Sequence, residues 1–400
     1  MSRTRTISQS KAVYVTKTGA LYGNGAVASG IQATQLQRVD NFSYQVDIAG
    51  ARQDVREFGQ LARIGTLINS DLTPTCSIGY YLTDGENEHH LGFETVSSIV
   101  GASLNPSKQA ISGYLSEHPD FRERNIFVVT VGEGNDAFSA GAWDSPLTHD
   151  VYGFGNAFPT EYSVSLAVGE IPRADVNFDC GNLVFYTGIN SGLYNPSINA
   201  SLGTIADSGK IALPVPSTGN SNVDILRPGQ IEIDFQSATA LGIGGTDLAS
   251  ISTKVQSATL TVPLAREALT ALGSDLPYSR PLTFPIDVTL AISATRADLT
   301  DGQIAGLLTG CGGQEKRDIK VKLYDRCNPN TLRMAYVLRN AVLDSQNGSQ
   351  DLDGNEGVEL QFSAQIAGAT TTGEGLFMTG SYSTALGSPL SPVLVSGLVG

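Results

Sequence analysis

The stretch VDNFSYQVDIAGARQDVREFGQ (39–60) returns in altered form as VQSATLTVPLAREALTALGS (255–274). Each opens on alternating apolar residues: Phe42, Tyr44, Val46 and Ile48 in one, Ala258, Leu260, Val262 and Leu264 in the other. Period two is the mark of an antiparallel strand with one buried face. Both continue with Ala-Arg (Ala51-Arg52, Ala265-Arg266), then with an apolar residue and glycine (Phe58-Gly59, Leu272-Gly273). A loop closing on Leu-Thr beside a proline follows, Leu72-Thr73-Pro74 and Leu282-Thr283 with Pro285. After a further strand comes LTDG, at 82–85 and at 299–302, so that Val39 to Leu82 spans 43 positions and Val255 to Leu299 spans 44. Five features in one order at one spacing describe a tandem duplication. Two copies are too few for a solenoid. They suit a ring in which each chain fills two quasi-equivalent places.

Working outward, more strands are read at Ala12–Val15, 76–82, 126–131, 162–168, 176–178, 230–235, 284–292 and 358–366. Ser107–Glu117, behind Asn105 and Pro106, and Ala297–Leu308 are the two helix candidates. The fold class is mainly β, two tandem sandwich or barrel domains, each flanked by a short helix. The expected organisation is an N-terminal arm over 1–38, a first domain over 39–190, a Gly/Ser/Asn/Pro-rich linker over 191–222 and a second domain over 223–400.

Composition supports short strands and many turns. Of 400 residues, 44 are Gly and 17 are Pro, and only 16% are charged, against roughly 25% in an average soluble protein. So thin a charged shell fits a surface that is covered in the working state. The formal charge of -14 and the lack of a basic stripe exclude tight phosphate binding. Cys76, Cys180, Cys311 and Cys327 are scattered, without a CxxC pair, and read as buried free thiols of a reducing compartment. No signal-like stretch opens the chain and no apolar run is long enough for a membrane span, so synthesis in the cytoplasm without membrane contact is expected.

Motifs that carry chemistry are weak. His89-His90, with Glu86 and Glu88 in DGENEHHLGF, has two imidazoles and two carboxylates but no distant third partner, and reads as a solvated turn. Asp351, Asp353 and Glu356 lack the position-twelve glutamate of a calcium loop and read as a hairpin turn. Gly132-Glu-Gly134 lacks the third glycine of a dinucleotide fingerprint. GxSxG, HExxH and GxxxxGK[ST] do not occur, and the four histidines (89, 90, 118, 149) form no nucleophilic triad. A structural protein without catalytic residues, metal or cofactor is expected, not an enzyme.

The order of strand, loop, strand and LTDG, followed by VYGFGNAFPTEYSVSLAVGEIPRADVNF (151–178), resembles the tail-tube proteins of long-tailed bacteriophages. The resemblance runs best over 39–180 and reaches the second half through the repeat. It implies two tail-tube-like β domains in tandem and self-association into stacked rings. A trimer with pseudo-hexameric symmetry is favoured over a hexamer. It further implies other tail proteins as partners, a virion tail location, and double-stranded DNA passing through an acidic lumen. The loops 60–72 and 274–282 are the expected contacts between rings, with Gln60, Arg63, Leu67, Leu72, Ser274 and Arg280 as the candidate residues. Other virion components (distal tail, terminator, decoration protein) and, further off, a β-rich surface adhesin remain as alternatives.

Overall fold

The computed structural model describes residues 6–17, 33–48, 51–68, 72–96, 108–115, 123–132, 150–187, 193–199, 204–205, 210–211, 225–236, 254–272, 277, 279–295, 316–325, 331–349, 357–366, 368 and 373–381, which all that follows concerns. The protein is mainly β. Its first half holds β1 (Thr6–Lys17), β2 (Thr34–Gln35), β3 (Val39–Val46), β4 (Arg52–Val55), β5 (Gly65–Ile68), β6 (Pro74–Tyr81), the helix α1 (Glu86–Leu91), β7 (Thr95–Val96), β8 (Arg124–Gly132), β9 (Asp150–Ala167), β10 (Arg173–Asp179) and β11 (Asn182–Thr187). The short strands β12 (Leu193–Tyr194), β13 (Ile198–Asn199), β14 (Thr204–Ile205) and β15 (Lys210–Ile211) occupy the expected linker. The second half holds β16 (Ile231–Gln236), β17 (Lys254–Pro263), β18 (Asp287–Thr295), β19 (Arg317–Tyr324), β20 (Leu332–Ser349), β21 (Gly357–Gln365) and β22 (Gly375–Gly380).

Strand pairing in the second half repeats that of the first. β9 and β20 are both 18 residues long, and each changes partners midway. The first part of β9 lies between β8 and β11, and the first part of β20 between β19 and β22. Beyond the switch, β9 pairs with β10, then β6 and β3, while β20 pairs with β21, then β18 and β17. β1 flanks β8 as β16 flanks β19. Irregularities recur with the pairing. The ladder slips between Val39 and Asn41 and again between Val255 and Ser257, between Arg124 and Ile126 and again between Arg317 and Ile319. At the partner switch Asn156 and Asn340 have φ of 49° and 55°, and their N–H groups donate to Asn125 Oδ1 (3.2 Å) and Asp318 Oδ1 (3.1 Å). Asparagine tolerates this left-handed conformation better than other residues with a Cβ, and it bends the strand where the bulge requires it.

The two halves are one sheet. β17 pairs antiparallel with the second part of β9, from Ser257 opposite Ala167 to Pro263 opposite Glu161, giving the central run β16-β19-β20-β21-β18-β17-β9-β10-β6-β3. The inward residues of this run, among them Ile78, Val164, Val176, Leu260, Leu290 and Phe362, belong to one apolar core that extends through both halves. Burial alternates strictly along β10 and β19, as period two requires for a sheet with one face packed.

Several expectations change. Ala12–Val15 is the buried centre of the much longer β1, aligned on β8. The helix expected over Ser107–Glu117 is, in its described part, a set of turns. Ala110 there bonds outward, its N–H to the Leu376 carbonyl (2.8 Å) and its carbonyl to the Glu94 N–H (2.7 Å), so those groups are lost to a helix. Ala297–Leu308 lies outside the described residues. The histidine-bearing segment is a buried helix, not a solvated turn. Cys76 and Cys180, distant in sequence, bring their sulfurs to 3.7 Å, both buried and unoxidised. Cys311 and Cys327 lie outside the described residues.

Candidate assembly surface

After β3 the chain leaves the sheet. β4 and β5 pair only with each other, and every residue from Arg52 to Ile68 is exposed. Phe58 and Leu61 stand fully in solvent at the tip, with Ile64, Leu67 and Ile68 exposed along the arm. Gly59 turns the tip with φ of 99°, a conformation open to glycine at little cost. The corresponding segment after β17 is a second hairpin, bridged at Arg266–Leu282 and Leu269–Ser279, with Leu272 fully exposed near its tip. Thus Phe58 and Leu272, the apolar members of the two apolar-Gly pairs, are both fully exposed beyond equivalent strands. Burying each of these apolar side chains would be worth about 1.5–3 kcal/mol.

A second surface is the outward face of the central sheet. On β3, β6, β9, β17, β18, β20 and β21 it presents mostly serine, threonine, asparagine and glutamine, such as Ser43, Ser77, Ser165, Thr259, Asn347 and Gln361. Charge on it is acidic: Glu161, Asp175, Asp287 and Glu359 alternate with the inward apolar residues. Arg173 on the same face is already held by Asp175 (2.8 Å) and Asp40 (2.9 Å). With Arg173 paired, the described side chains of this face carry mainly carboxylate charge, which repels phosphate groups weakly.

Beneath it the halves are held by a buried polar cluster. Gly85, with φ of 89°, starts α1, and its Cα hydrogens face the backbone of Gly380, where a Cβ would come within 3.2 Å of the Gly380 Cα. The helix thereby carries Glu88 to a position where its Oε1 accepts from Tyr80 (3.0 Å) and Tyr162 (3.2 Å), and Tyr336 of the second half bonds Tyr162 at 2.7 Å. Glu88 is only 1% exposed, and burial pushes its carboxyl up to about 7 against the opposing effect of its hydrogen bonds. Burial also moves the hydroxyls of Tyr80, Tyr162 and Tyr336 well above the usual tyrosine range. Around this cluster Ser381 donates to the Asp84 carbonyl (2.9 Å), Gln109 to the Glu374 carbonyl, and β7 runs parallel to β22. His90 is set against Glu86 at 3.3 Å, which accounts for one of the two histidines structurally. Among the described residues no three His, Cys, Asp or Glu side chains are grouped to hold a metal ion. Nor is any helix among them long and apolar enough to cross a membrane.

No family model matches the chain, and no curated protein does.

The six residues anticipated as contacts separate into three groups. Gln60 is at the tip of the first hairpin, Arg63 beside it bonds Asp54 at 3.2 Å, and Leu67 is exposed on β5. Leu72 is half-buried where the chain re-enters the sheet, and Ser274 lies outside the described residues. Arg280 is placed otherwise than expected. It is buried at the root of the second hairpin, where its guanidinium bonds Thr73 Oγ1 (3.3 Å) and covers the ring of Phe158. Arg266 shares that ring and bonds the Arg280 carbonyl at 3.0 Å. These two arginines anchor the arm and do not extend it. Sequence reasoning passed over the tip residues Phe58 and Leu61 as contacts, although Phe58 lies in the quoted repeat and Leu61 in the loop 60–72.

Proposed function

We propose that the protein is a structural subunit of a bacteriophage tail tube, associating with copies of itself and with other tail proteins into stacked rings that conduct double-stranded DNA. The observation that carries this reading is the duplicated sheet, which gives one chain an apolar arm after β3, a corresponding segment with Leu272 exposed after β17, and one long polar, acidic face. The arms supply contact from ring to ring. The face supplies a lining along which a phosphate backbone slides without being held. In this reading each half is one tail-tube-like domain, and three chains make a ring of six equivalent units; a ring of six chains is the alternative. Acting as a subunit, the protein needs no catalytic residue, metal or cofactor, and its place is the virion tail.

The test is to express the full chain alone and image it by negative-stain electron microscopy, with and without purified tail-tip complex. Hollow tubes or stacked rings are the expected result. Monomers that persist in both conditions would overturn the reading.

A further inference from the structure

The joint inside the chain shows what its two ends lack. β17 is paired on both sides, by β18 and by β9, whereas its counterpart β3 pairs on one side only, with β6. The second part of β9 is likewise paired on both sides, by β10 and β17, whereas the second part of β20 pairs only with β21. Exposure follows the missing neighbours. Leu260 on β17 is 3% exposed, and Tyr44, at the same place on β3, is 45% exposed. Val164 and Tyr162 on β9 are buried, while Gly348 and Gln346, at the same places on β20, are exposed. The second sheet layer shows the same contrast. Met378 on β22 is 0% exposed beside β7, and its counterpart Phe185 on β11 is 57% exposed.

We propose that one copy of the chain adds to the next edge to edge, β3 of one pairing antiparallel with the second part of β20 of the other, in the register of the β17–β9 joint. The proposal rests on the self-assembly reading above and specifies its contact. Internally Val262 faces Tyr162, Thr261 faces Ser163 and Leu260 faces Val164. Transferred through the matching ladders, Val46 faces Gln346, Gln45 faces Asn347 and Tyr44 faces Gly348. The last pair is complementary in size. A Leu–Val pair inside the chain is replaced by a large ring over a residue with no side chain, an arrangement that covers an edge glycine. An intramolecular partner for either edge is absent among the described residues, and two such edges left open invite uncontrolled pairing. The occupant that fits both is a second copy, because this chain already makes that joint with itself once.

The test uses full-length protein with Val46→Cys and Gln346→Cys in one chain, and separately Gln45→Cys with Asn347→Cys. Directly opposed residues bring their Cβ atoms within reach of a disulfide, and residues displaced by two do not. Under mild oxidation one of the two opposed pairs should give a ladder of covalent multimers on a non-reducing gel. The displaced pair Tyr44→Cys with Gln346→Cys should cross-link at least tenfold more slowly. Light scattering on the same samples separates the two levels of the reading. Assembly without cross-linking of either opposed pair, or faster linking of the displaced pair, would sink the register and leave self-assembly standing. Protein that neither assembles nor cross-links at any concentration would sink both.

Discussion

Glu88 offers a direct test of how the two halves are held together. Its carboxyl titrates in the folded protein at about 7, raised by burial from an ordinary value of 4.5. Below pH 4.5 the group is protonated whether the chain is folded or not, and it imposes no penalty. Between 4.5 and about 7 the unfolded chain releases the proton and the folded chain keeps it, so stability falls as pH rises. Above that window the loss is complete, at about 3 kcal/mol from a conversion of about 1.4 kcal/mol per pH unit. Glu88→Gln keeps an oxygen that can accept from Tyr80 and Tyr162 but cannot ionise. Urea unfolding of the natural protein and the variant should therefore give similar stabilities near pH 4.5 and diverge up to pH 8. The variant should end about 3 kcal/mol the more stable. Glu94 and Asp179 are also raised by burial, and their contributions cancel in the difference between the two proteins. Stability curves that stay parallel from pH 4.5 to pH 8 would refute the account of Glu88.

Replacing Phe58 and Leu61 together by serine should leave folding unchanged within about 0.5 kcal/mol, as both stand in solvent, yet abolish tube formation in electron micrographs; deletion of 61–71 should do the same. Normal tubes from either variant would remove the arm from the stacking contact. Asn340→Val places a β-branched residue at φ of 55° and should cost about 1–2 kcal/mol in urea titration, with Asn340→Gly close to neutral; the reverse order would contradict the bulge assignment. Cys76 and Cys180 should resist iodoacetamide in the native protein and react once urea unfolds it, because both are buried and burial raises the Cys180 thiol. Native-state labelling of either, read by mass spectrometry, would show that the β6–β10 pairing opens.

Period-two alternation was enough to find β10, β17, β18 and β21, since each keeps one face in the core throughout, while β8, buried on both faces, was found as a continuous β-branched run. β20 escaped because it serves two layers. Leu332–Leu338 is almost all buried, the bulge after Asn340 moves the alternation, and the rest is polar because its edge is uncovered. β3 shows the converse. Its alternation was read as a buried face, but without a neighbour Tyr44 is half in solvent. The helix α1 gives no apolar periodicity at all. Asn87 is held by the backbone of Gln37 (2.8 Å) and Glu88 by tyrosines 8 and 74 positions away, partnerships that only the tertiary fold supplies. The repeat was legible because Ala51-Arg52 and Ala265-Arg266 each follow closely on the equivalent strands β3 and β17. The joint between β9 and β17 was not, because nothing in either strand names its partner.

That joint also bears on how fast a closed assembly can form. A ring of single-sheet subunits must make every contact by collision, and a ring that stalls one subunit short waits on a dilute pool. In the proposed ring every second contact lies within one chain and is made while that chain folds, at the effective concentration its tether sets. Three chains close such a circle in two bimolecular associations where six separate subunits need five. The stock of partial rings, each with an exposed strand edge, shrinks with that number.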